Sequence, residues 1–297
     1  MDKCSKIVIG TVPLSGNYGY ISKENILETL SYCYEKNFRE FDTAPNYGNG
    51  IMESHLGNIF SKKDDVKINT KIGNLSSGGK DFNIDSMRKS FNQSLKRLKR
   101  NKIETLFLHN PRDEIKNYEE VDKFLNELYK RGKIKKKGIS LARKYNYKNS
   151  ILRMFDVIQD DYNLLHLEFP KNFTAGQMFM ARSPLATGLL SGNVNSESKF
   201  TDPYRSQWLK GERLRSLVKR IEKLKEISDI TLSEMAVRYV LYQDKIDKII
   251  FGVKKMKHID YITYCLRKGP LGVSLKNRIQ ELYNDDFGLI GKKSLKY

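Results

Sequence analysis

Apolar residues along the chain follow two rhythms that alternate. Short runs rich in β-branched and aromatic residues recur at 6–12, 39–43, 66–71, 105–108, 136–140, 157–159, 178–181 and 248–252. They have the length and bounding polar clusters of buried strands. Between several of them the spacing changes to that of a helix with one apolar face. In 84–100 the stripe is Ile84, Met87, Phe91, Leu95 and Leu98, and in 121–129 it is Val121, Phe124, Leu125 and Leu128. In 213–228 it is Leu214, Leu217, Val218, Ile221, Leu224 and Ile227. Such a stripe lies along one side of a helix and packs most simply on a sheet. One more amphipathic stretch, 274–283, follows the last strand.

Eight strands alternating with helices, without a break in composition, predict an α/β fold. The expected architecture is a parallel (β/α)8 TIM barrel, one domain over residues 1–297, with a C-terminal helical extension covering one end or side. A doubly wound sheet would need a glycine-rich turn after the first strand. The segment Gly10-Thr11-Val12-Pro13-Leu14-Ser15-Gly16 does not have that G-x-G-x-x-G spacing.

Composition changes this picture little. At 39% hydrophobic and 11% aromatic residues the chain can bury a large core. The formal net charge of +19 is the unusual value. The lysines are scattered, and their densest cluster, 133–137, is interrupted by Ile134. That distribution reads as solvated helix faces rather than one polyanion-binding surface. No helix-turn-helix, zinc or RNA-recognition motif is present, so no specific nucleic-acid partner is expected. No stretch approaches the roughly 20 apolar residues of a membrane span, and the start shows no secretory pattern. Cys4, Cys33 and Cys265 are far apart and form no C-x-x-C pair, so neither a metal site nor a disulfide is expected. A cytoplasmic location fits these features.

The chemistry gathers at the C-terminal ends of consecutive strands, where barrels of this kind carry their reactive groups. Asp42 ends the second strand, Tyr47 follows in its loop, Lys71 ends the third and His109 the fourth. Alone, each has an ordinary structural explanation; four at adjacent strand ends define a site. A phenol titrates near 10, and an ammonium beside it favours the phenolate. A lysine in a partly apolar barrel needs a counter-ion, which Asp42 supplies. A histidine can donate a hydrogen bond to a carbonyl oxygen. The set is a polarising pocket for a carbonyl about to accept a hydride, with Tyr47 protonating the developing alkoxide.

These residues carry a resemblance. Phe41-Asp42-Thr43-Ala44-Pro45-Asn46-Tyr47-Gly48-Asn49-Gly50, followed by Glu53 and Leu56-Gly57, is similar to the signature of the aldo-keto reductase family. Thr70-Lys71-Ile72-Gly73 resembles its lysine block, and Leu106-Phe107-Leu108-His109-Asn110-Pro111 its histidine block. Gly132-Lys133-Ile134 with Gly138-Ile139-Ser140 resembles its fourth helix and fifth strand. Ala181-Arg182-Ser183-Pro184-Leu185, running on to Gly192, resembles its seventh-strand cofactor loop. The resemblance covers nearly the whole chain. It implies an oxidoreductase that reduces an aldehyde or ketone, sugar-like carbonyls included, by hydride transfer from NADPH, with NAD(H) as the alternative cofactor. It implies Asp42, Tyr47, Lys71 and His109 as the catalytic tetrad. It also implies cofactor contacts at Gly10, Thr11, Asp42, Ser140, Gln159, Arg182, Ser183 and Leu185, and in the last cofactor block at Gly252, Lys254, Lys255 and His258. The implied partner is a small-molecule carbonyl, and the implied assembly a monomer or homodimer.

The pattern departs from the family in three places. Leu141 stands where the family often has asparagine, the segment 164–180 is shorter than the usual sixth helix and following strand, and Ile262 replaces an expected amide. The altered last cofactor block motivates a second reading, a non-catalytic NADP(H)-binding regulatory barrel, against which the intact tetrad argues. Substrate specificity is expected from the loops 15–20, 73–81 and 192–210, the last including Trp208.

Overall fold

The computed structural model of the chain describes residues 3–171 and 173–289. Eight parallel strands close into a barrel in chain order: β1 Ile7–Gly10, β2 Glu40–Asp42, β3 Lys67–Ile72, β4 Ile103–His109, β5 Ile134–Ser140, β6 Val157–Asp161, β7 Met178–Arg182 and β8 Lys248–Gly252. The ring closes where β8 runs beside β1, with Val8 opposite Ile250 and Gly10 opposite Gly252. All eight runs read from the hydrophobic pattern are strands, with edges moved for local reasons. The run at 6–12 stops at Gly10, because Pro13 has no N–H for a ladder and sits in a 3-10 turn over Val12–Ser15.

Strand side chains alternate between two environments, as a period of two requires. Ile7, Ile9, Leu106, Leu108, Ile139 and Ile158 join the main core under the helices. Val8, Phe107, Val157, Met180 and Ile250 form a separate small cluster, the plug inside the ring. The plug is filled to its limit. A Cβ on Gly138 would sit 2.4 Å from the Phe107 ring, and one on Gly10 would sit 2.7 Å from Ile250 Cγ2. Gly138→Ala is therefore expected to destabilise the fold by about 1–3 kcal/mol, the usual range for an overpacked core. Urea unfolding measures it, and an unchanged midpoint would show that the plug has slack.

The outer layer consists of α1 Lys23–Glu35, α2 Ile51–Phe60, α3 Ile84–Leu98, α4 Tyr118–Lys130, the single turn α5 Asn149–Leu152, α6 Gly211–Glu226, α7 Leu232–Leu241, α8 Met256–Lys268 and α9 Val273–Asn284. The stripes read in 84–100, 121–129 and 213–228 are the buried faces of α3, α4 and α6. α3 stops at Lys99, which turns left-handed (φ 51°) and returns its N–H to Leu95 and Lys96. The stretch at 274–283 is α9, the C-terminal extension, and it buries Ile279. The 3-10 turn that follows it is tied to α6 by Arg220, which donates to Asp286 at 3.0 Å.

Among the described residues no helix lies between β6 and β7, so the sixth helix is absent rather than only shortened. Aromatic side chains cover that flank instead. Phe169 and Phe173 stand edge-on to Phe179 of β7 at 5.0 and 5.6 Å, and Tyr162 lies 4.9 Å from Phe169. The lysine cluster at 133–137 falls largely on β5, where Lys135 and Lys136 face Glu104 and Lys137 pairs with Asp122 at 2.8 Å. No described helix is long and apolar enough to cross a membrane.

Candidate active site

β2, β3 and β4 are neighbours in the ring and carry Asp42, Lys71 and His109 at or next to their C-terminal ends. The Lys71 ammonium donates to Asp42 Oδ1 at 2.5 Å and to the Thr43 carbonyl at 2.9 Å. From the far side, Gln159 of β6 donates to Asp42 Oδ2 at 3.1 Å. Lys71 is 1% and Asp42 5% exposed, so neither charge could stay here without the other. Burial pulls the Lys71 pKa below its ordinary value, and Asp42 opposes that pull.

Tyr47 follows in a tight turn, its N–H on the Ala44 carbonyl at 3.0 Å. The chain then passes through Gly48 and Gly50, at φ 60° and 85°, before α2 begins. Left-handed backbone of this kind suits residues without a Cβ. At Gly50 a Cβ would also meet Arg97 Cδ at 2.8 Å. The turn holds the Tyr47 ring centroid 5.1 Å from Lys71 Nζ. His109 stands edge-on to the same ring, with centroids 5.9 Å apart at 82°. Burial pushes the Tyr47 hydroxyl well above its ordinary pKa, Asp42 adds to this, and Arg182 opposes it. Burial first, then Lys71, Arg182 and Lys80, holds His109 well below the usual histidine range. The site thus keeps a protonated phenol beside a neutral imidazole. His109 Nδ1 is buried without a partner among the described residues, a polar atom that a ligand could satisfy.

Arg182, at the end of β7, spans the mouth. It donates to Asp161 at 3.2 Å, Ser140 Oγ at 2.9 Å, Asn110 Oδ1 at 3.1 Å and the Leu141 carbonyl at 2.7 Å. Asp161 also takes Arg143 Nε at 2.5 Å. Its carboxyl lies well below the ordinary range because Arg182 and Arg143 outweigh the burial that would raise it. Its neighbour Asp160 is pushed up to about 6, chiefly by burial. The structure thus joins Ser140, Gln159 and Arg182 to the tetrad, and Asn110 enters the same network. At position 141 only the backbone carbonyl contributes, and the leucine side chain is buried.

The remaining cofactor candidates lie along the rim. Thr11, just past β1, bonds the Asp42 carbonyl through both N–H and hydroxyl at 3.0 Å. Gly10 and Gly252 end adjacent strands. Ser183, Ala186, Thr187 and Gly188 all have positive φ, so the backbone coils beyond β7, with Leu185 inside that coil. Lys254 and Lys255 precede α8, Lys255 as its N-cap, and His258 Nδ1 accepts the Lys254 N–H at 3.2 Å. No acidic residue stands in the first turn of α8. A helix N-terminus with this charge suits an anion. Ile262 lies on the buried face of α8 with Ile259 and Cys265, a packing position.

Sequence reading did not single out Asn110, Arg143 or Asp161. Asp160-Asp161 carried a usable signal: two acids at the end of a buried strand, in register with Ala181-Arg182, require cations nearby. Asn110 has φ 53°, a strained position next to a site residue, visible only in the structure.

A closed (β/α)8 barrel with a buried ion pair, a phenol and an imidazole at the C-terminal strand ends defines an enzyme-like barrel. The sequence profile of the Aldo/keto reductase family matches residues 6–283, and the chain belongs to that family of oxidoreductases. An aldo-keto reductase of Pseudocercospora fijiensis is 26% identical over 280 residues, covering 82% of this chain and 93% of that protein. Among solved structures, the glycerol dehydrogenase AKR11B4 of Gluconobacter oxydans superposes with a TM-score of 0.79 at 22% identity, covering 97% of this chain and 94% of that one. The holo form of the aldo-keto reductase AKR11C1 of Bacillus halodurans gives 0.76 at 22% identity, with 93% and 91% covered. At these identities the two structures bear on the fold alone.

Proposed function

We propose that the chain is an NADP(H)-dependent carbonyl reductase acting on a small aldehyde or ketone, with Tyr47 as proton donor. The observation that carries this reading is the placement of the Asp42-bound Lys71 ammonium 5.1 Å from the Tyr47 ring, with His109 edge-on to the same ring. The residues present fit a phosphorylated dinucleotide. Ser140, Gln159 and Arg182 offer polar groups beside the tetrad, the backbone coil at Ser183 and Leu185 offers turned amides, and Lys254 and Lys255 offer charge at the head of α8. Lysines act there as point charges on a phosphate. When bound, NADPH supplies the hydride that reduces the carbonyl carbon.

The chain's own groups manage the oxygen. His109 is neutral and available as a donor, so it orients the carbonyl and polarises it. As charge develops on that oxygen, the Tyr47 hydroxyl transfers its proton to it. The Tyr47 phenolate left behind faces the Lys71 ammonium, which stabilises it. Asp42 keeps that ammonium in place and charged, and Gln159 holds the second carboxylate oxygen.

The test is oxidation of NADPH or NADH over a panel of aldehydes, ketones and ketoses, with a pH profile for the best substrate. The phenol is competent below its raised pKa, and the imidazole is competent above its lowered one. A plateau in kcat from about pH 6 to pH 9 is expected between the two limits. Cofactor binding without turnover of any carbonyl would overturn the proposal. A fall in rate between pH 6 and 8 would show that one of the two groups titrates in place.

A further inference from the structure

The loop after β1 and the head of α8 meet at one ammonium. Lys254 Nζ donates to the carbonyl oxygens of Tyr18 at 2.6 Å and Gly19 at 3.1 Å. It makes no ion pair with a carboxylate among the described residues. Burial, then the charges of Lys255 and Arg205, lower its pKa, and the Asp202 carboxylate opposes them. The loop it holds turns on two glycines, Gly16 at φ 87° and Gly19 at φ 90°, with the Gly19 N–H on the Gly16 carbonyl. Both glycines can change backbone region at low cost.

Tyr18 links this loop to the wall of the mouth. Its ring lies 5.4 Å from that of Tyr204, and the Arg205 guanidinium stands 5.5 Å above it. Tyr204 is edge-on to Trp208 at 6.4 Å. Trp208 in turn lies 5.3 Å from the guanidinium of Arg143, which is bound to Asp161 and so to the Arg182 network. A single lysine therefore touches, through one short loop, the aromatic side of the site. A phosphate is a stronger partner for an ammonium than two neutral carbonyls.

We propose that Lys254 is a positioning residue with two settings. In one it holds the Tyr18 loop, and with it the Tyr204–Trp208 wall. In the other a phosphate at the head of α8 takes the ammonium and frees the loop. The inference rests on the NADP(H) reading and deepens it. The phosphate on the cofactor's ribose anchors the cofactor and also sets the shape of the substrate's entrance. The KM of a carbonyl measured with NADPH then differs from that measured with NADH.

The chain has one tryptophan, so its emission reports on this wall alone. The probes are adenosine 2′,5′-bisphosphate, which carries the ribose phosphate without nicotinamide, and adenosine 5′-monophosphate, which lacks that phosphate. Saturating bisphosphate is expected to shift the wild-type emission, whereas the monophosphate leaves it in place. Ligand-free Lys254→Met is expected to show the shifted emission already and to respond no further, and Lys254→Arg is expected to recover the response. Bisphosphate binding seen by calorimetry with unmoved wild-type emission would overturn the latch and leave the cofactor reading standing. An equal shift in wild type and Lys254→Met would also overturn it. Calorimetry showing that neither the bisphosphate nor NADPH binds the wild type would remove the cofactor reading and the latch together.

Discussion

Replacing Tyr47 by phenylalanine is expected to lower kcat for carbonyl reduction by about 10²–10⁴-fold, the usual contribution of a positioned general acid. The change removes one oxygen and leaves the ring. That ring keeps its contacts with Lys71 and His109, and the Tyr47 hydroxyl has no hydrogen-bond partner among the described residues. Stability should stay within roughly 0.5 kcal/mol of wild type, as for substitutions that break no buried interaction. NADPH binding, followed by calorimetry, should be unchanged, so the loss falls on kcat. Burial makes the hydroxyl costly to ionise where it sits, so in the proposed mechanism it enters the reaction protonated and the Lys71 ammonium stabilises the phenolate that forms. A variant that turns over within threefold of wild type would mean that the proton comes from elsewhere.

The second large effect concerns stability as well as rate. Lys71→Met leaves the Asp42 carboxylate buried with Gln159 as its remaining side-chain partner. Removing one member of a buried pair costs about 3–5 kcal/mol, because the other charge is left uncompensated. The double variant Asp42→Leu/Lys71→Met removes both charges and is expected to recover most of that loss, since apolar replacement of a buried pair is often neutral or stabilising. It should recover no activity, because Tyr47 then lacks the ammonium that stands 5.1 Å from its ring. Urea unfolding of the two single variants and the double variant gives the coupling directly. If Lys71→Met loses less than about 1 kcal/mol, the pair is solvated in solution and the electrostatic account of the site is wrong.

The barrel was legible because each strand is a short apolar run between helices whose stripes have the helical period. Parallel strands buried on both faces leave little room for another pattern. The grouping of Asp42, Lys71 and His109 at one mouth was legible for a related reason: an ionisable residue at the end of a buried run is costly to place there, and three such residues follow on successive strands. What the sequence hid was lateral. Arg182 reaches across from β7 to Ser140 of β5 and to Asn110 after β4, and no local pattern encodes a guanidinium spanning that gap. That no helix stands between β6 and β7 among the described residues was only half visible. A stretch containing Phe169 and Phe173 is short on helical period, and its packing depends on Phe179 from the next strand. Lys254 read only as a cofactor contact, while its bonds to Tyr18 and Gly19 join residues more than 230 positions apart.

Closure of the ring also constrains how the chain is made. β1 pairs with β8, Ile7 beside Ile249, so the first strand synthesised waits about 240 residues for its second neighbour. At roughly 5–20 residues per second on a ribosome, that wait lasts on the order of 10–50 s. Throughout it, the Ile7-Val8-Ile9 edge presents open hydrogen-bonding groups and apolar side chains, the combination that recruits other unfinished chains. Nascent copies are most exposed to mispairing with one another during this interval, and emergence of the Lys248–Gly252 strand brings it to an end.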